Sequence, residues 1–217
     1  MTRQCIAIIA AGGAASRCGG DRPKSLMEKS GTTYLEILLC EISKSGISDI
    51  LIYCNRLEHL KDIRHISKKN SDARIIVDQG VPSTFHLAKH AASLRRQQDI
   101  IFFYGHSPRP SSHISALINS PHQIAASLYE TSSKRNPIGD TSDGYLEPPF
   151  KIDAELLFKS KHSEWNYFLG EFEHVTSKIS VNAPAEFNSL AERQVFDSYI
   201  SSWSKTISDV PKALEAR

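Results

Sequence analysis

The 217 residues read as an α/β protein, with a parallel sheet covered by helices on both faces. Three observations predict this. Short apolar runs alternate with segments whose apolar residues recur at helical spacing. Turn-forming residues fall between these segments. The length suits one well-buried domain and is short for two, so residues 1–217 are expected to form a single domain.

In order, residues 6–10 are strand-like and 34–45 are helix-like, closed by Gly46. Residues 50–53 are strand-like and 57–69 helix-like, ending at Asn70-Ser71. Residues 74–77 are strand-like, 84–95 helix-like after Pro82-Ser83, and 100–104 strand-like. A succession of βα units means a parallel sheet. Ligands bind such sheets beyond the carboxyl ends of the strands. The second part is less regular. A strand is expected over 123–128, and the polar, Gly- and Pro-containing stretch 131–149 reads as an insertion loop near the substrate site. A short apolar segment covers 150–158. A strand over 175–181 then runs through the turn Asn182-Ala183-Pro184 into a packing helix from about 185 to 202.

Composition bounds the class. Hydrophobic residues make up 40% and charged residues 23%, as in ordinary globular chains. The apolar run 5–11 is far shorter than the roughly 20 residues of a membrane span and lacks signal-peptide architecture, so a cytoplasmic protein without membrane attachment is expected. Cys5, Cys18, Cys40 and Cys54 show neither metal-ligand spacing nor disulfide density, which fits reduced thiols. Lys and Arg outnumber Asp and Glu 16 to 10 over residues 1–120 and are outnumbered 14 to 10 over 121–217. That asymmetry suits a polyphosphate substrate or a solvated basic face. Basic residues are scattered without interleaved aromatics, so no nucleic-acid partner is expected.

The segment 6–26, IAIIAAGGAASRCGGDRPKSL, carries the chemistry. Ala10, Ala11, Gly12, Gly13 and Ala14 present little beyond backbone, so their N–H groups can approach an anion closely. Arg17 and Lys24 add fixed positive charge. A P-loop needs Gly-Lys-Ser/Thr, but Pro23 precedes Lys24; a dinucleotide fingerprint needs Gly-x-Gly, but Ala14 follows Gly13. The pattern resembles that of the nucleotidyltransferases that join a nucleoside triphosphate to a phosphorylated acceptor. These include molybdenum-cofactor guanylyl- and cytidylyltransferases, methylerythritol-phosphate cytidylyltransferase and sugar-1-phosphate nucleotidylyltransferases.

The resemblance implies a three-layer α/β/α, Rossmann-like fold with a mainly parallel sheet. It implies a nucleoside triphosphate and a phosphorylated small molecule (sugar phosphate, alcohol phosphate or pterin cofactor) as partners, and pyrophosphate as the released product. A homodimer is compatible with it. Arg17 and Lys24 would be catalytic, and Ala10, Ala11, Gly12, Gly13, Ala14, Gly80 and Ser83 would bind the nucleotide. In the stretch 79–84, Gly80 and Ser83 stand where the family contacts the base, although a capped βα turn reads the same.

A divalent metal is implied as well, Mg²⁺ by the resemblance, with Mn²⁺ or another transition metal as the alternative. The family's Gly-Asp-x-Pro after the fourth strand here reads Gly105-His106-Ser107-Pro108, so His106 takes the place of a metal-holding aspartate. Imidazole suits transition metals better than Mg²⁺. Either the metal is held by other groups, or its identity differs and His106 is a ligand, or catalysis is weak or lost, as in a binding protein that has lost transfer activity; a loop histidine with no metal role reads the same. Asn182 stands where a second metal ligand can sit, and an Asn-x-Pro turn accounts for it equally. Lys178 either reaches the phosphates or is solvated. Trp165, Tyr167 and Phe168 line an acceptor pocket or pack in the core.

Overall fold

The structure is a computed structural model that describes residues 4–12, 22–70, 73–77, 83–130, 139–141 and 144–203. Its strands are β1 (Cys5–Ala10), β2 (Glu28–Lys29), β3 (Thr32–Thr33), β4 (Asp49–Cys54), β5 (Arg74–Val77), β6 (Asp99–Tyr104), β7 (Ile124–Tyr129), β8 (Gly139–Thr141), β9 (Gly144–Asp153) and β10 (Thr176–Val181). Its helices are α1 (Tyr34–Lys44), α2 (Leu60–Asn70), α3 (Thr84–Leu94), α4 (Ser111–Asn119), α5 (Ala154–Lys159), α6 (Trp165–Glu171) and α7 (Leu190–Trp203).

The central sheet has the order β10-β7-β9-β6-β1-β4-β5, with β8 paired to the start of β9. β1 lies between β4 and β6, parallel to both. β9 alone on that path runs antiparallel, between β6 and β7. The other six strands therefore present their carboxyl ends on one edge. β1 explains why the run 6–10 carries no alternation: it is covered on both faces. Ile6, Ile8 and Ala10 pack with Phe85 and Ala88 of α3, Leu157 of α5 and Trp165 of α6. Ala7, Ile9 and Ala11 pack with Leu35 and Leu38 of α1, Ile63 of α2 and Ile114 of α4. This is a three-layer α/β/α, Rossmann-like arrangement.

The stretch 131–149 is not simply an insertion loop. Residues 131–138 and 142–143 lie outside the described residues, but 139–141 form β8 and 144–149 form the first part of β9, inside the sheet. Pro148 and Pro149 lack the N–H that a ladder needs, which makes the stretch read as a loop. They are accommodated at a bulge, where the register passes from Ala126↔Phe150 to Ser127↔Glu147. The apolar segment 150–158 divides into the end of β9 and α5, and the Asp153 carboxylate caps α5 by accepting from Leu156 N–H at 2.9 Å. α4 carried no sequence signal. Its amino terminus is capped from another helix, by Glu41 of α1, which accepts from Ser111 N–H at 2.7 Å.

The last helix begins at Leu190, not near 185, and the residues before it form an irregular, repeatedly bent strap. Phe187 is held in a hydrophobic cluster with Tyr34, Ile37 and Phe196, which ties the strap and α7 to α1. Tyr34 reinforces the tie by donating to Asp197 at 2.7 Å and accepting from Arg193 at 3.1 Å. Burial and the Asp197 hydrogen bond both push the Tyr34 hydroxyl upward from its ordinary pKa, so it stays neutral.

Candidate functional site

The carboxyl edge of the sheet is where chain segments distant in sequence converge. β1 ends under tight main-chain control: Ala11 N–H donates to Tyr53 O and Gly105 N–H donates to Ala10 O, both at 2.9 Å. Ser25 donates to Ala11 O at 2.8 Å, which seats the Pro23-Lys24 segment directly beside the end of β1. Gly12 lies close under the side chain of the exposed Asn55, which immediately follows β4: a Cβ there would stand 2.2 Å from Asn55 Oδ1 unless that side chain turned aside. Gly105 is also tight: a Cβ would stand 3.1 Å from Ser25 Cβ and 3.2 Å from Ala10 O. The loops after β1, β4 and β6 thus interlock through backbone and small side chains.

Onto this edge the strap 182–189 is drawn from β10 across to β1. Three fastenings hold it. Ser107 Oγ donates to Ala185 O. Arg109, fully buried, donates through Nη2 to Pro184 O at 2.9 Å and to Ala185 O, through Nη1 to Pro108 O at 2.8 Å, and through Nε to the Tyr129 hydroxyl at 3.0 Å. Its cation also lies 5.2 Å from the Tyr129 ring, 5.4 Å from Phe196 and 5.6 Å from Tyr199. The third fastening is polar and lies at the site itself. His106 Nε2 and Glu186 Oε2 are 3.0 Å apart; Asn188 Nδ2 donates to Glu186 Oε1 at 3.2 Å; Lys24 Nζ donates to Asn188 Oδ1 at 2.7 Å and to Phe187 O. Lys24 also sits over the Phe187 ring at 5.2 Å. A continuous polar chain therefore links His106, Glu186, Asn188 and Lys24. His106 is stacked on Tyr104, with ring centroids 5.6 Å apart and planes 14° apart.

The structure therefore brings together Ala10, Ala11, Gly12, Lys24 and His106. Arg17, Gly13, Ala14 and Gly80 lie outside the described residues. Ser83 caps α3, accepting from His86 N–H, and its Oγ stands 2.8 Å from His86 Nδ1. Asn182 lies at the end of β10, in a cleft of about 470 Å³ lined also by Glu130, Pro184, Val195 and Tyr199. Lys178 pairs with Glu173 at 3.2 Å. Trp165 and Phe168 belong to the core, while Tyr167 is exposed. Among the described residues, no group of three or more His, Cys, Asp or Glu side chains gathers into a metal cluster. No helix among them is long and apolar enough to cross a membrane.

Sequence reasoning missed Glu186, Asn188 and Arg109. Only Glu186 left a signal, as the acidic residue after the Asn-x-Pro turn, and nothing in its spacing shows that it meets His106.

No family model matches the chain, and no curated protein matches it. Solved structures do. A nucleotidyl transferase from Methanothermobacter superposes with a TM-score of 0.69 at 14% identity, covering 92% of this chain and 99% of its own. The inositol-1-phosphate CTP transferase of T. maritima gives 0.69 at 13% identity, covering 93% and 98%. The 4-diphosphocytidyl-2C-methyl-D-erythritol synthase of Anaerococcus prevotii gives 0.67 at 15% identity, covering 93% and 100%. The fold is that of the nucleotidyltransferases.

Proposed function

We propose that the protein transfers a nucleoside monophosphate from a nucleoside triphosphate to a phosphorylated small-molecule acceptor. The observation that carries this is the convergence, on the carboxyl edge of a nucleotidyltransferase fold, of the end of β1 at Ala11 and Gly12 with Lys24, the loop after β6 and the strap after β10. Ala10 lies within β1 and Ala11 N–H is taken by Tyr53 O, so the loop N–H groups of Gly12, Gly13 and Ala14 with the Arg17 guanidinium bind the triphosphate, and the Gly80–Ser83 turn receives the base. An acceptor phosphate oxygen attacks the α-phosphorus in line, forming the new P–O bond. The bond to the β-phosphate bridging oxygen breaks, and pyrophosphate leaves with that electron pair. Lys24 stabilises the charge developing at the α-phosphate, so catalysis is positioning and electrostatic stabilisation. A divalent metal, if held from the side of His106, would supply charge neutralisation to the reacting phosphates, whereas Asn182 faces the cleft lined by Glu130, Val195 and Tyr199.

A second reading has two observations in its favour. Lys24 is engaged by the strap and His106 stands for the expected aspartate, as in a nucleotide- or sugar-phosphate-binding protein without transfer activity. Pyrophosphate release, measured over the four triphosphates against a panel of phosphorylated acceptors, separates the two. Acceptor-dependent release supports transfer; tight triphosphate binding with no release under any metal supports the binding protein.

A further inference from the structure

α3 carries two histidines, one helical turn apart, that nucleotidyl transfer leaves unused. Phe85, Ala88 and Ala92 of this helix are buried in the core between it and the sheet. His86 and His90, at i and i+4, share another flank of the same helix. Each ring is held through its Nδ1 atom. His86 Nδ1 stands 2.8 Å from Ser83 Oγ, and His90 Nδ1 stands 3.4 Å from the Tyr53 hydroxyl of β4. Neither Nε2 has a hydrogen-bond partner among the described residues. His86 is half-buried and His90 is exposed, so water and ions reach the pair. The nearby cation of Lys89 is drawn to the α5 side, where its Nζ donates to Ser160 O at 2.6 Å.

We propose that His86 and His90 bind one divalent ion of the Ni²⁺, Cu²⁺ or Zn²⁺ class through their two Nε2 atoms. Two imidazoles at i and i+4 on one helical face have the spacing that lets a single ion bridge one turn. Metal–nitrogen bonds of about 2.1 Å at a tetrahedral angle put the two Nε2 atoms roughly 3.4 Å apart, within reach of rings whose Cβ atoms stand about 6 Å apart. Imidazole suits these later ions, whereas Mg²⁺ and Ca²⁺ take oxygen ligands. The Nδ1 contacts are compatible with ligation, because a metal-bound imidazole donates its other N–H to a neighbour that fixes tautomer and ring direction. Ser83 Oγ is such a neighbour for His86, and it accepts from the His86 backbone N–H as the cap of α3 at the same time. Ion binding through Nε2 therefore leaves the cap intact. Water or an exchangeable ligand fills the remaining positions, and the ion clasps the first two turns of α3. The site lies on the flank of α3, apart from the polar chain of His106, Glu186, Asn188 and Lys24, and does not rest on the transfer reading.

The test is a Zn²⁺ titration of the whole protein by calorimetry, without nucleotide. The chain has nine histidines, so the step that belongs to this site is the one that responds to both substitutions. Its affinity should fall at least about tenfold in His86→Ala and at least about tenfold in His90→Ala, since loss of an orienting neighbour alone costs that much and loss of a ligand no less. The double substitution should add little, because either change breaks the chelate. His90→Cys, which returns a zinc ligand to the same turn, should recover the step. Amide exchange over residues 84–90 should slow on adding Zn²⁺ to the unaltered protein and not to either alanine variant. Circular dichroism checks each fold, and His86→Gln replaces His86→Ala if the latter does not fold. A titration with no step that responds to both substitutions, a step lost in one variant and unchanged in the other, or a step that His90→Cys fails to recover overturns the proposal, whatever the triphosphate assays show.

Discussion

Replacing Arg109 by alanine should loosen the strap more than any other single change at the carboxyl edge. Its guanidinium donates to four acceptors, the carbonyls of Pro108, Pro184 and Ala185 and the Tyr129 hydroxyl, and lies near three aromatic rings. The losses are unequal. Ala185 O keeps Ser107 as a partner, and the Tyr129 hydroxyl keeps its own bond to Pro148 O, so Pro184 O is the long-range acceptor most exposed to loss. Orphaning the partly buried Pro184 carbonyl costs about 1 kcal/mol, the low end for such acceptors, and the void left by the fully buried side chain adds about 2 kcal/mol or more. Against this stands the desolvation of a fully buried cation, which the substitution relieves. With its donors this well matched, the losses outweigh that relief, and a net destabilisation of about 3 kcal/mol is expected. At a urea dependence of about 2 kcal/mol/M, the unfolding midpoint falls by roughly 1.5 M. Urea unfolding followed by circular dichroism reads this directly. A midpoint within about 0.3 M of the unaltered protein would refute the view that Arg109 anchors the strap.

Other substitutions probe other parts of the account. Arg17→Ala should weaken triphosphate binding about ten- to a hundredfold by calorimetry, the worth of a charge-assisted contact of about 1.5–3 kcal/mol. Gly80→Val should abolish nucleotide affinity while sparing the fold, and retained affinity would reduce that turn to a helix cap. Burial, with the nearby Arg109 cation, pushes His113 down to about 4. The Ser127 hydroxyl donates to Pro149 O, and His113 Nε2 stands 2.8 Å from Ser127 Oγ, so the neutral ring fits as the donor. The unfolded chain then takes up a proton near pH 6.5 that the folded chain refuses. This contribution to stability is full above pH 6.5 and is lost as pH falls toward 4, by up to about 3 kcal/mol. His113→Gln should flatten the dependence over that window in acid-unfolding curves.

What the sequence discloses and what it hides divide along a physical line. β1, β4, β5 and β6, with α1 to α3, are legible because each is a local pattern: an apolar run, a helical period, a cap such as Thr33 with Glu36 or Ser83. The loop after β1 is legible because small residues and fixed offsets to Pro23-Lys24 form a local signature. β9 is hidden, because its prolines are tolerated only through a bulge set by β7. α4 is hidden, because its cap comes from Glu41, 70 residues away. The strap looks like a helix start because Phe187 is apolar and Glu186 polar at suitable spacing. What prevents the helix there is tertiary: Phe187 is taken into the cluster with Tyr34, and Glu186 meets His106, 80 residues away. The polar chain from His106 to Lys24 depends on that crossing, so no local pattern discloses it.

The measurement that bears most directly on the transfer reading is acceptor-dependent pyrophosphate release by the unaltered protein and by Lys24→Ala, side by side, with Mg²⁺ and with Mn²⁺. Removing one preorganised charge at a reacting phosphate costs on the order of a hundred- to a thousandfold in rate. The account predicts release that requires both triphosphate and acceptor and that falls at least about a hundredfold in Lys24→Ala. Release at an unchanged rate in Lys24→Ala, or none from any triphosphate and acceptor pair with either metal, would contradict it.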